Sequence, residues 1–308
     1  MNRLIGLFRK KVASSLLLLV GAAAGGLAQA DTTYTYTYDY NFTVNNGCVG
    51  AWHASCGLTG TQIGNSANPT PAPADPNAPP NSIGATATGW ANTQGNQSTT
   101  SNQTLEKGHI TAWTSTGSGS SRVGMGVRNL DYSTSANGGE SLLDGGEGSS
   151  PEHAVDNNDR YDSILYSFDQ VVSLTQVSLS WYTNDSDITI LAFTGDTYSE
   201  ASNLAGLRYD ELLLKGWSRI GHYDNIGYQT SVNTAISSSY WLIGAANPLV
   251  GGTVKDTIKD YIKIAALSGK ITTEYTQKDN PPSGVPEPGS LALLGLGWLL
   301  LLRARAKS

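Results

Sequence analysis

The sequence predicts a mainly β protein with an antiparallel β-sandwich or jelly-roll-like body and one short helix. Apolar and polar residues alternate along several segments, and this period of two is that of a half-buried strand. After Tyr161, turn residues interrupt the alternation about every ten residues, a spacing that suits a sandwich. Charged residues make up 14% of the 308-residue chain and glycines number 35, a mixture typical of extracellular β proteins with many turns.

The N-terminus, residues 1–30, has the pattern of a secretory signal peptide. Arg3 and Arg9 belong to a basic region, Val12–Ala24 is apolar, and Ala28–Ala30 matches an A-x-A cleavage site. We therefore expect signal peptidase to cut there and the mature chain to begin near Asp31. A retained N-terminal anchor is the alternative interpretation.

The first strand of the mature chain is predicted in TTYTYTYDYNFTV, Thr32–Val44. Its Tyr and Phe residues alternate with Thr, Asp and Asn, which places the aromatic side chains on one face of the strand. Such a row belongs either to a buried core or to a surface on which sugars stack. The pattern favours the core.

Two segments interrupt the β pattern. Residues 65–82 contain NPTPAPADPNAPPN, which is too rich in proline to join a sheet and predicts a semi-extended surface loop. Residues 93–121 are mostly Ser, Thr, Asn, Gln and Gly, a composition typical of segments without order, although HITAW at His109–Trp113 predicts a strand. Arg122–Tyr132 predicts the next strand.

The β pattern is clearest in the second half of the chain. One helix is predicted in LAGLRYDELLLKG, residues 204–216, from the spacing of its leucines, with Gly216 at its end. The predicted strands of this half are DSILYSF (162–168), VVSLTQVSLSWYT (171–183), DITILAFTG (187–195), WSRIGHY (217–223), YQTSVNT (228–234), SSSYWLIGAA (237–246), DYIKIAAL (260–267) and KITTEYT (270–276).

Cys48 and Cys56 are the two cysteines of the chain. In an exported protein, such a close pair predicts one disulfide across a small loop. Metal binding by the pair with His53 is the alternative, but this set lacks a fourth ligand and the usual spacing. The seven intervening residues exclude a Cys-x-x-Cys redox motif.

The best candidate site is an acidic segment, DNNDRYD at residues 156–162, together with NDSD at residues 184–187. Calcium takes about six to eight oxygen ligands, and alternating Asp and Asn can supply several of them from a short loop. The same residue types also form Asx turns, so both interpretations stay open. The candidate calcium ligands are Asp156, Asn158, Asp162, Asp185 and Asp187; no other cofactor is expected.

The sequence contains no catalytic signature. It has no G-x-S-x-G elbow, no Walker A loop and no dinucleotide-binding glycine motif that opens a helix. Paired carboxylates about 5 to 9 Å apart would serve glycoside hydrolysis, but the acidic residues available for it lie in a Gly/Ser-rich loop that does not favour rigid positioning. These residues are Glu140, Asp144, Glu147 and Glu152. We therefore do not expect an enzyme.

Histidines, tryptophans and net charge point to no further ligand. The histidines are scattered without metal-ligand spacing, and most tryptophans of the alternating strands are expected in the core rather than on a sugar-binding surface. The net charge of −6, with no basic patch outside the two chain ends, argues against nucleic acid as a partner.

The C-terminus combines three features within 24 residues. The first is a proline-bracketed acidic motif, Val285, Pro286, Glu287 and Pro288; the second is the apolar run 291–302; the third is a basic end with Arg303 and Arg305. As a helix the run spans about 18 Å of a hydrocarbon core of about 30 Å, which predicts a short and transient transmembrane helix. Positive charge after a span holds that end in the cytoplasm, so the body is expected outside.

This order of motif, apolar run and basic end resembles the PEP-CTERM sorting signal of Gram-negative envelope proteins. The resemblance implies that exosortase, a membrane protease-transpeptidase, processes the chain near the Pro-Glu-Pro. The protein would pass through an intermediate anchored in the inner membrane to the cell surface or extracellular matrix. An ordinary tail anchor that follows a VPEP by chance is the alternative.

The central block, Glu152–Leu267, carries a second resemblance through EHAVDNNDRYDSILYSFDQVVSLTQVSLSWYTNDSDITILAFTG, GWSRIGHY, SSSYWLIGA and DYIKIAAL. It is similar to one family of exosortase-dependent surface proteins with β-sandwich bodies and no established enzymatic activity. We expect residues 31–284 to form an extracytoplasmic β domain and residues 285–308 to form the sorting signal. The expected role is structural or adhesive, with extracellular polysaccharide as a partner; a carbohydrate-binding module is the alternative and a glycoside hydrolase the third class.

Overall fold

A computed structural model describes residues 31–94, 103–117, 120–130, 154–158, 160–196, 201–278 and 295–298. The predicted signal peptide, the motif Val285–Pro288 and the basic residues Arg303 and Arg305 lie outside the described residues. The chain divides into two compact units, one of residues 35–274 and one of residues 1–34 with 275–308. Most of the described residues belong to the larger unit.

The described chain is mainly antiparallel β-structure, which confirms the predicted class. Its strands are β1 (Thr32–Val44), β2 (Cys56–Asn68), β3 (Ser82–Gln94), β4 (Thr104–Lys107), β5 (His109–Gly117), β6 (Ser120–Arg128), β7 (Val155–Asp156), β8 (Asp162–Asn184), β9 (Ile188–Phe193), β10 (Trp217–Tyr223), β11 (Gln229–Ser231), β12 (Ser238–Ala245) and β13 (Asp260–Gln277). Three 3₁₀ helices in the same part of the chain are Asn46–Cys48, Tyr209–Lys215 and Pro248–Val250.

The thirteen strands form one sheet, with the order β10-β9-β12-β8-β3-β2-β1-β13-β6-β5. Strands β4, β7 and β11 pair off this path with β3, β13 and β8. Strand β8 also pairs with β13, so β8, β3, β2, β1 and β13 form a closed circuit. A sandwich is built from two separate sheets packed face to face. Here, in contrast, all thirteen strands belong to one hydrogen-bonded sheet.

Strand β8 explains the single sheet. The sequence predicts two strands with a break at Asp169 and Gln170, whereas one strand of 23 residues runs through both. Its first part pairs with β3 and β12, and its second part pairs with β11 and β13. The Asp169 carboxylate accepts a hydrogen bond of 3.0 Å from the backbone N–H of Gly84 on β3. The polar residue that predicted a turn is therefore accommodated within the sheet.

Strand β13 likewise joins two predicted strands, DYIKIAAL and KITTEYT, into one of 18 residues. Gly269 lies at the junction, opposite Leu174 of β8. A Cβ atom on Gly269 would lie 2.3 Å from a methyl group of Val172, a distance that no side chain tolerates. Glycine therefore marks a close approach of two strands here rather than a turn.

A short helix lies where one was predicted, but it is a 3₁₀ helix over Tyr209–Lys215 rather than an α-helix over 204–216. Only Tyr209 and Leu212 of this helix are buried, and their spacing of three residues matches the 3₁₀ period. Gly206, with a φ of 80°, separates Leu204 from Leu207, and the extended backbone of Arg208 separates Leu207 from the helix. Gly216 ends it in the left-handed conformation, with a φ of 87°.

The proline-rich segment is shorter than predicted. Strand β2 continues to Asn68 and β3 begins at Ser82, so the loop covers residues 69–81 instead of 65–82. In residues 93–121, the described parts carry β4 and β5 and the start of β6. Strand β4 pairs with β3, and β5 pairs with β6 along nine residues of each strand. Pairing with neighbouring strands thus orders polar sequence whose composition alone predicts no order.

One cluster of buried core residues lies between β3, β8, β9, β10, β12 and the Tyr209–Lys215 helix. It consists of Trp90, Leu105, Leu165, Leu191, Phe193, Ala201, Leu204, Tyr209, Leu212, Trp217, Leu242 and Val250. Trp90, Trp217 and Trp241 are buried, whereas Trp52, Trp113 and Trp181 are partly exposed. The strands with buried apolar alternation thus supply this core, as their patterns indicate.

Residues 295–298 lie within the predicted transmembrane segment and are helical. None of the helices in the described ranges is both long enough and apolar enough to cross a membrane.

Candidate functional site

Three buried carboxylates come together at one end of β13. Asp185 and Asp187 lie in the corner between β8 and β9, and Asp260 is the first residue of β13. Potential ligand atoms of the three side chains all lie within 4.8 Å of one another. We call this set the acidic cluster.

The backbone brings these residues together. Asn184, the last residue of β8, has a φ of 61°, a left-handed conformation that asparagine adopts more readily than most residues. Asn184 and Asp260 are paired in the ladder of β8 with β13, and Asp185 forms an isolated bridge with Asp260. The turn at Asn184 thus positions both aspartates of the corner beside the start of β13.

Hydrogen bonds orient the carboxylate of Asp260. Its Oδ1 accepts from the backbone N–H of Asp187 at 2.7 Å, and its Oδ2 accepts from the side-chain amide of Asn157 at 2.7 Å. The Asn157 Oδ1 in turn accepts from the backbone N–H of Asp260 at 2.8 Å. Asn157 follows β7, so three separate segments of the chain build the cluster.

Burial raises the pKa of Asp260 to about 7, and the negative charges of Asp187 and Asp185 add to this effect. Burial also raises the pKa of Asp187, although the backbone N–H of Asn225 opposes the shift by donating to its carboxylate. Two unit charges at this separation repel by about 3 kcal/mol at an effective dielectric constant of about 20. This repulsion is a substantial fraction of the free energy of unfolding of a typical domain.

Uptake of a proton or a cation would lower the charge of the acidic cluster near neutral pH. The side-chain atoms of the cluster that could bind a metal are all oxygens, which suit Ca²⁺ or Mg²⁺ better than zinc. A calcium ion would need further oxygens from backbone or water to reach its usual coordination number of about six to eight.

Two of the five predicted calcium ligands, Asp185 and Asp187, belong to the acidic cluster. The other three, Asp156, Asn158 and Asp162, lie outside it. The carboxylate of Asp156 accepts a hydrogen bond of 2.9 Å from the backbone N–H of Asn158, which is the geometry of an Asx turn. Asp162 accepts from the side-chain amide of Asn129 at 3.2 Å.

No local sequence pattern marks Asp260 or Asn157 as a site residue. Asp260 opens the strand DYIKIAAL, and aspartate is depleted in strands. An aspartate at the start of a predicted strand is thus the one feature of the sequence that could indicate a site. It points to this site only when the pairing of β13 with β8 is known. Asn157 lies between two predicted ligands, and only the fold shows that its side chain turns to Asp260.

The second polar feature is the proline-rich loop, residues 69–81, which packs over the tyrosine row of β1. The hydroxyl of Tyr36 donates to the carbonyl of Pro73 at 2.9 Å, and that of Tyr40 donates to the carbonyl of Pro80 at 2.6 Å. Between them, the Tyr38 hydroxyl donates to Asp75 Oδ2 at 2.8 Å. The tyrosine row, defined as Tyr36, Tyr38 and Tyr40, is buried.

Asp75 is the central acceptor of this loop. Its carboxylate accepts from the Tyr38 hydroxyl, from the Thr273 hydroxyl of β13 and from the backbone N–H of Asn77. Burial alone would raise the pKa of Asp75, but these three hydrogen bonds outweigh it and lower the pKa below its ordinary value. Burial and the bond to Asp75 raise the pKa of Tyr38 to about 12, so Tyr38 remains the donor.

Cys48 and Cys56 form a disulfide with their Cα atoms 5.6 Å apart. The loop between them pairs with β5 through bridges from Val49 to Ala112 and from His53 to Ile110. The loop thus covers part of β5, which lies at the end of the strand order, and shields an edge that would otherwise offer unpaired backbone groups.

The histidines of the described ranges are dispersed. His53 pairs with β5, His109 lies opposite Arg128 on β6, and His222 bonds Thr189 and the carbonyl of Gly251. No histidine of the described ranges joins a group of three possible metal ligands. Outside the described residues lie His153 and the four acidic residues considered for hydrolysis, Glu140, Asp144, Glu147 and Glu152.

Searches against protein-family models, curated proteins and solved structures gave no match to this chain.

Proposed function

We propose that the protein is an exported component of the cell surface or extracellular matrix, processed at its C-terminus by exosortase, with a structural or adhesive role. The observation that carries this proposal is the C-terminal order of Val285–Pro288, an apolar run and a basic end, which resembles the PEP-CTERM signal. The N-terminal signal-peptide pattern supports the same route independently, because both ends place the body outside the cytoplasm.

The body is consistent with this route. A disulfide between Cys48 and Cys56 belongs to an oxidising compartment. A continuous sheet of 13 strands offers a rigid scaffold, and the buried acidic cluster lies within that scaffold rather than in a large open cleft. A scaffold of this kind suits a display or adhesive role.

Mass spectrometry of the mature protein from its native host, with and without exosortase, tests the processing step. We expect a protein that begins near Asp31 and ends close to Pro286 in the wild-type strain, and a chain that keeps Ser308 in the strain without exosortase. Recovery of Ser308 on protein exported by the wild-type strain would contradict the proposal.

A matched pair of variants makes this test specific. Replacing Pro286 and Glu287 by alanine is expected to block the cleavage, because the protease would lose the extended motif that two prolines create. Replacing Pro281 and Pro282 by alanine changes the same number of residues just before the motif and should leave cleavage intact. If both variants were processed equally, cleavage would not depend on the Pro-Glu-Pro motif.

The structural or adhesive role is tested by deletion of the gene. Loss of biofilm or flocculation, restored by the wild-type gene but not by the Pro286 and Glu287 variant, is expected. Structural calcium also stays a prediction, and Asp185, Asp187 and Asp260 are the candidate ligands that lie close together.

A further inference from the structure

We propose that the groove between the β1–β2 hairpin and the proline-rich loop binds a sugar ring of a neutral polysaccharide. This inference deepens the proposed matrix function by naming a ligand class, and its biological meaning rests on that function. The groove has a volume of about 300 Å³, at the lower end of the range of ligand pockets, about 300 to 1,000 Å³. One sugar ring suits this size.

The floor of the groove combines aromatic and polar side chains. Asn65 of β2 lies directly opposite Tyr38, and Ala67 lies directly opposite Tyr36. Residues opposite each other in an antiparallel ladder point to the same face, so the Asn65 amide and the two tyrosine rings share the floor. The amide offers two donors and an acceptor to sugar hydroxyls.

The proline-rich loop forms the opposite wall. Thr70, Pro73 and Asp75 line it, and they present a hydroxyl, a proline ring and a carboxylate. A sugar has apolar C–H faces as well as hydroxyl groups, and a pocket of few polar groups among apolar surfaces recognises both. Tyr36 and Tyr38 are each only 6% exposed, so the sugar would contact ring edges inside the groove rather than an open stacking platform.

The groove is held open before any ligand arrives. Tyr36 bonds the carbonyl of Pro73, Tyr38 and Thr273 bond Asp75, and the Asn77 amide bonds the carbonyl of Glu274 at 3.2 Å. These bonds connect the loop to two strands. A preformed wall reduces the ordering that a ligand must bring about, which favours binding.

The charge of the groove selects neutral glycans. Asp75 carries a negative charge at neutral pH, since three hydrogen bonds stabilise its carboxylate and lower its pKa. No basic residue lines the groove in the described part of the chain. Uronic acids, phosphates and nucleic acids would therefore be repelled, whereas a neutral hexose or N-acetylhexosamine would not.

The test uses the purified full chain and four soluble hexasaccharides. Cellohexaose, maltohexaose and chitohexaose are neutral, and hexagalacturonate is the acidic comparison. Titration calorimetry is expected to show binding of at least one neutral hexasaccharide and none of hexagalacturonate. If no neutral hexasaccharide binds at millimolar concentration, or if only the acidic one binds, the proposal is overturned.

Two variants locate the binding. Asn65→Ala removes the polar floor, and Ala74→Trp fills the groove from an exposed position of the loop. Asn65→Ala is expected to weaken binding by about tenfold, the effect of one or two lost hydrogen bonds. Ala74→Trp is expected to weaken it by at least about tenfold as well, because the indole ring would occupy the space of the sugar. Asn233→Ala, at an exposed asparagine that does not line the groove, should bind like the wild type.

Unchanged thermal melting of the variants shows that they fold. Wild-type affinity in both groove variants would place the sugar elsewhere and overturn the proposal. Because binding is measured on purified protein, its failure leaves the exosortase result unchanged, and failed processing in the host leaves the binding result unchanged.

Discussion

Asp75 and Asp260 are carboxylates at two ends of the same scaffold, and their pKa values shift in opposite directions. Hydrogen bonds from a tyrosine, a threonine and a backbone N–H surround Asp75, and its pKa is lowered. Asp260 is fully buried beside Asp185 and Asp187, and its pKa is raised to about 7. The neighbours of a carboxylate, rather than its residue type, determine whether its charge stabilises the fold.

The two carboxylates therefore contribute differently to the stability of their regions. The carboxylate of Asp75 links the proline-rich loop to Tyr38 of β1 and Thr273 of β13. Three negative charges in the acidic cluster would repel one another strongly near neutral pH, and a proton or a cation would relieve this repulsion. The charge of Asp75 is thus expected to stabilise the fold, and that of Asp260 to destabilise it.

The largest expected effect is a loss of stability as the pH rises in the absence of divalent cations. The folded pKa of Asp260 lies above its ordinary value of 3.8, so its contribution is fully present below pH 3.8 and is lost as the pH rises to about 7. The upward shift corresponds to a loss on the order of 4 kcal/mol in the free energy of unfolding. Urea unfolding in EDTA at several pH values measures it.

Asp260→Asn is expected to flatten this pH dependence, because the amide does not ionise. Asp196→Asn, at an exposed aspartate, is the matched control and should keep the wild-type profile. A wild-type free energy of unfolding that stays constant or rises between pH 4 and 7 would show that the cluster does not take up a proton.

The second expected effect is stabilisation of the acidic cluster by calcium. If calcium occupies the acidic cluster, a concentration of about 100 times its dissociation constant stabilises the protein by about 2.7 kcal/mol. The measurement is the urea midpoint at pH 7.5 with calcium and with EDTA. Asp260→Asn should lose this gain and Asp75→Asn should keep it; equal midpoints with and without calcium in the wild type would leave the proton as the charge-lowering partner.

The sequence predicted the contents of these two regions better than their geometry. The alternation of β1 predicted a face of tyrosines, and the prolines predicted a loop, but neither pattern shows that the loop folds back onto that face. Asp75 and Tyr38 are 37 residues apart, and sequence periodicity is a local signal. The corner with Asp185 and Asp187 was identified, whereas Asp260, 73 residues after Asp187, enters only through the pairing of β13 with β8.

The single sheet has a similar cause. Asp169–Gln170 and Gly269 are residue types that usually mark strand ends, and the sequence therefore predicted four shorter strands in place of β8 and β13. Residues of neighbouring strands allow these residue types inside a strand. The backbone N–H of Gly84 donates a hydrogen bond to Asp169, and Val172 occupies the space beside Gly269. Such long-range accommodation leaves no trace in a local window of sequence.

A smaller effect is expected at Asp75. Asp75→Ala removes the acceptor shared by Tyr38, Thr273 and Asn77, and partial exposure of the site limits the destabilisation to about 1 to 2 kcal/mol. Hydrogen exchange in residues 69–81 should rise while exchange in β8 stays slow. Exchange that rises equally in both regions would show that the loop and the sheet unfold together.

The pH dependence of the loop has the opposite sign to that of the cluster. The pKa of Asp75 is lowered, so its contribution is present above the ordinary value of 3.8 and is lost as the pH falls through the folded pKa. Acidification below pH 3.8 should therefore lower the protection of residues 69–81 against hydrogen exchange, measured relative to an unstructured chain at the same pH. Asp75→Asn should show low protection at every pH, and a wild-type loop that stays protected at pH 2 would contradict the assignment.

The smallest effects are expected from single hydroxyl deletions in the tyrosine row. Tyr36→Phe and Tyr38→Phe each keep the buried ring and remove one hydrogen bond to the loop, which is worth about 1 kcal/mol. Tyr38→Phe should be the more harmful, because its partner is a charged carboxylate and bonds to charged groups are stronger than bonds to carbonyls. Urea midpoints of the two variants measure the difference. A more harmful Tyr36→Phe would mean that the Pro73 carbonyl, and not Asp75, is the main attachment of the loop.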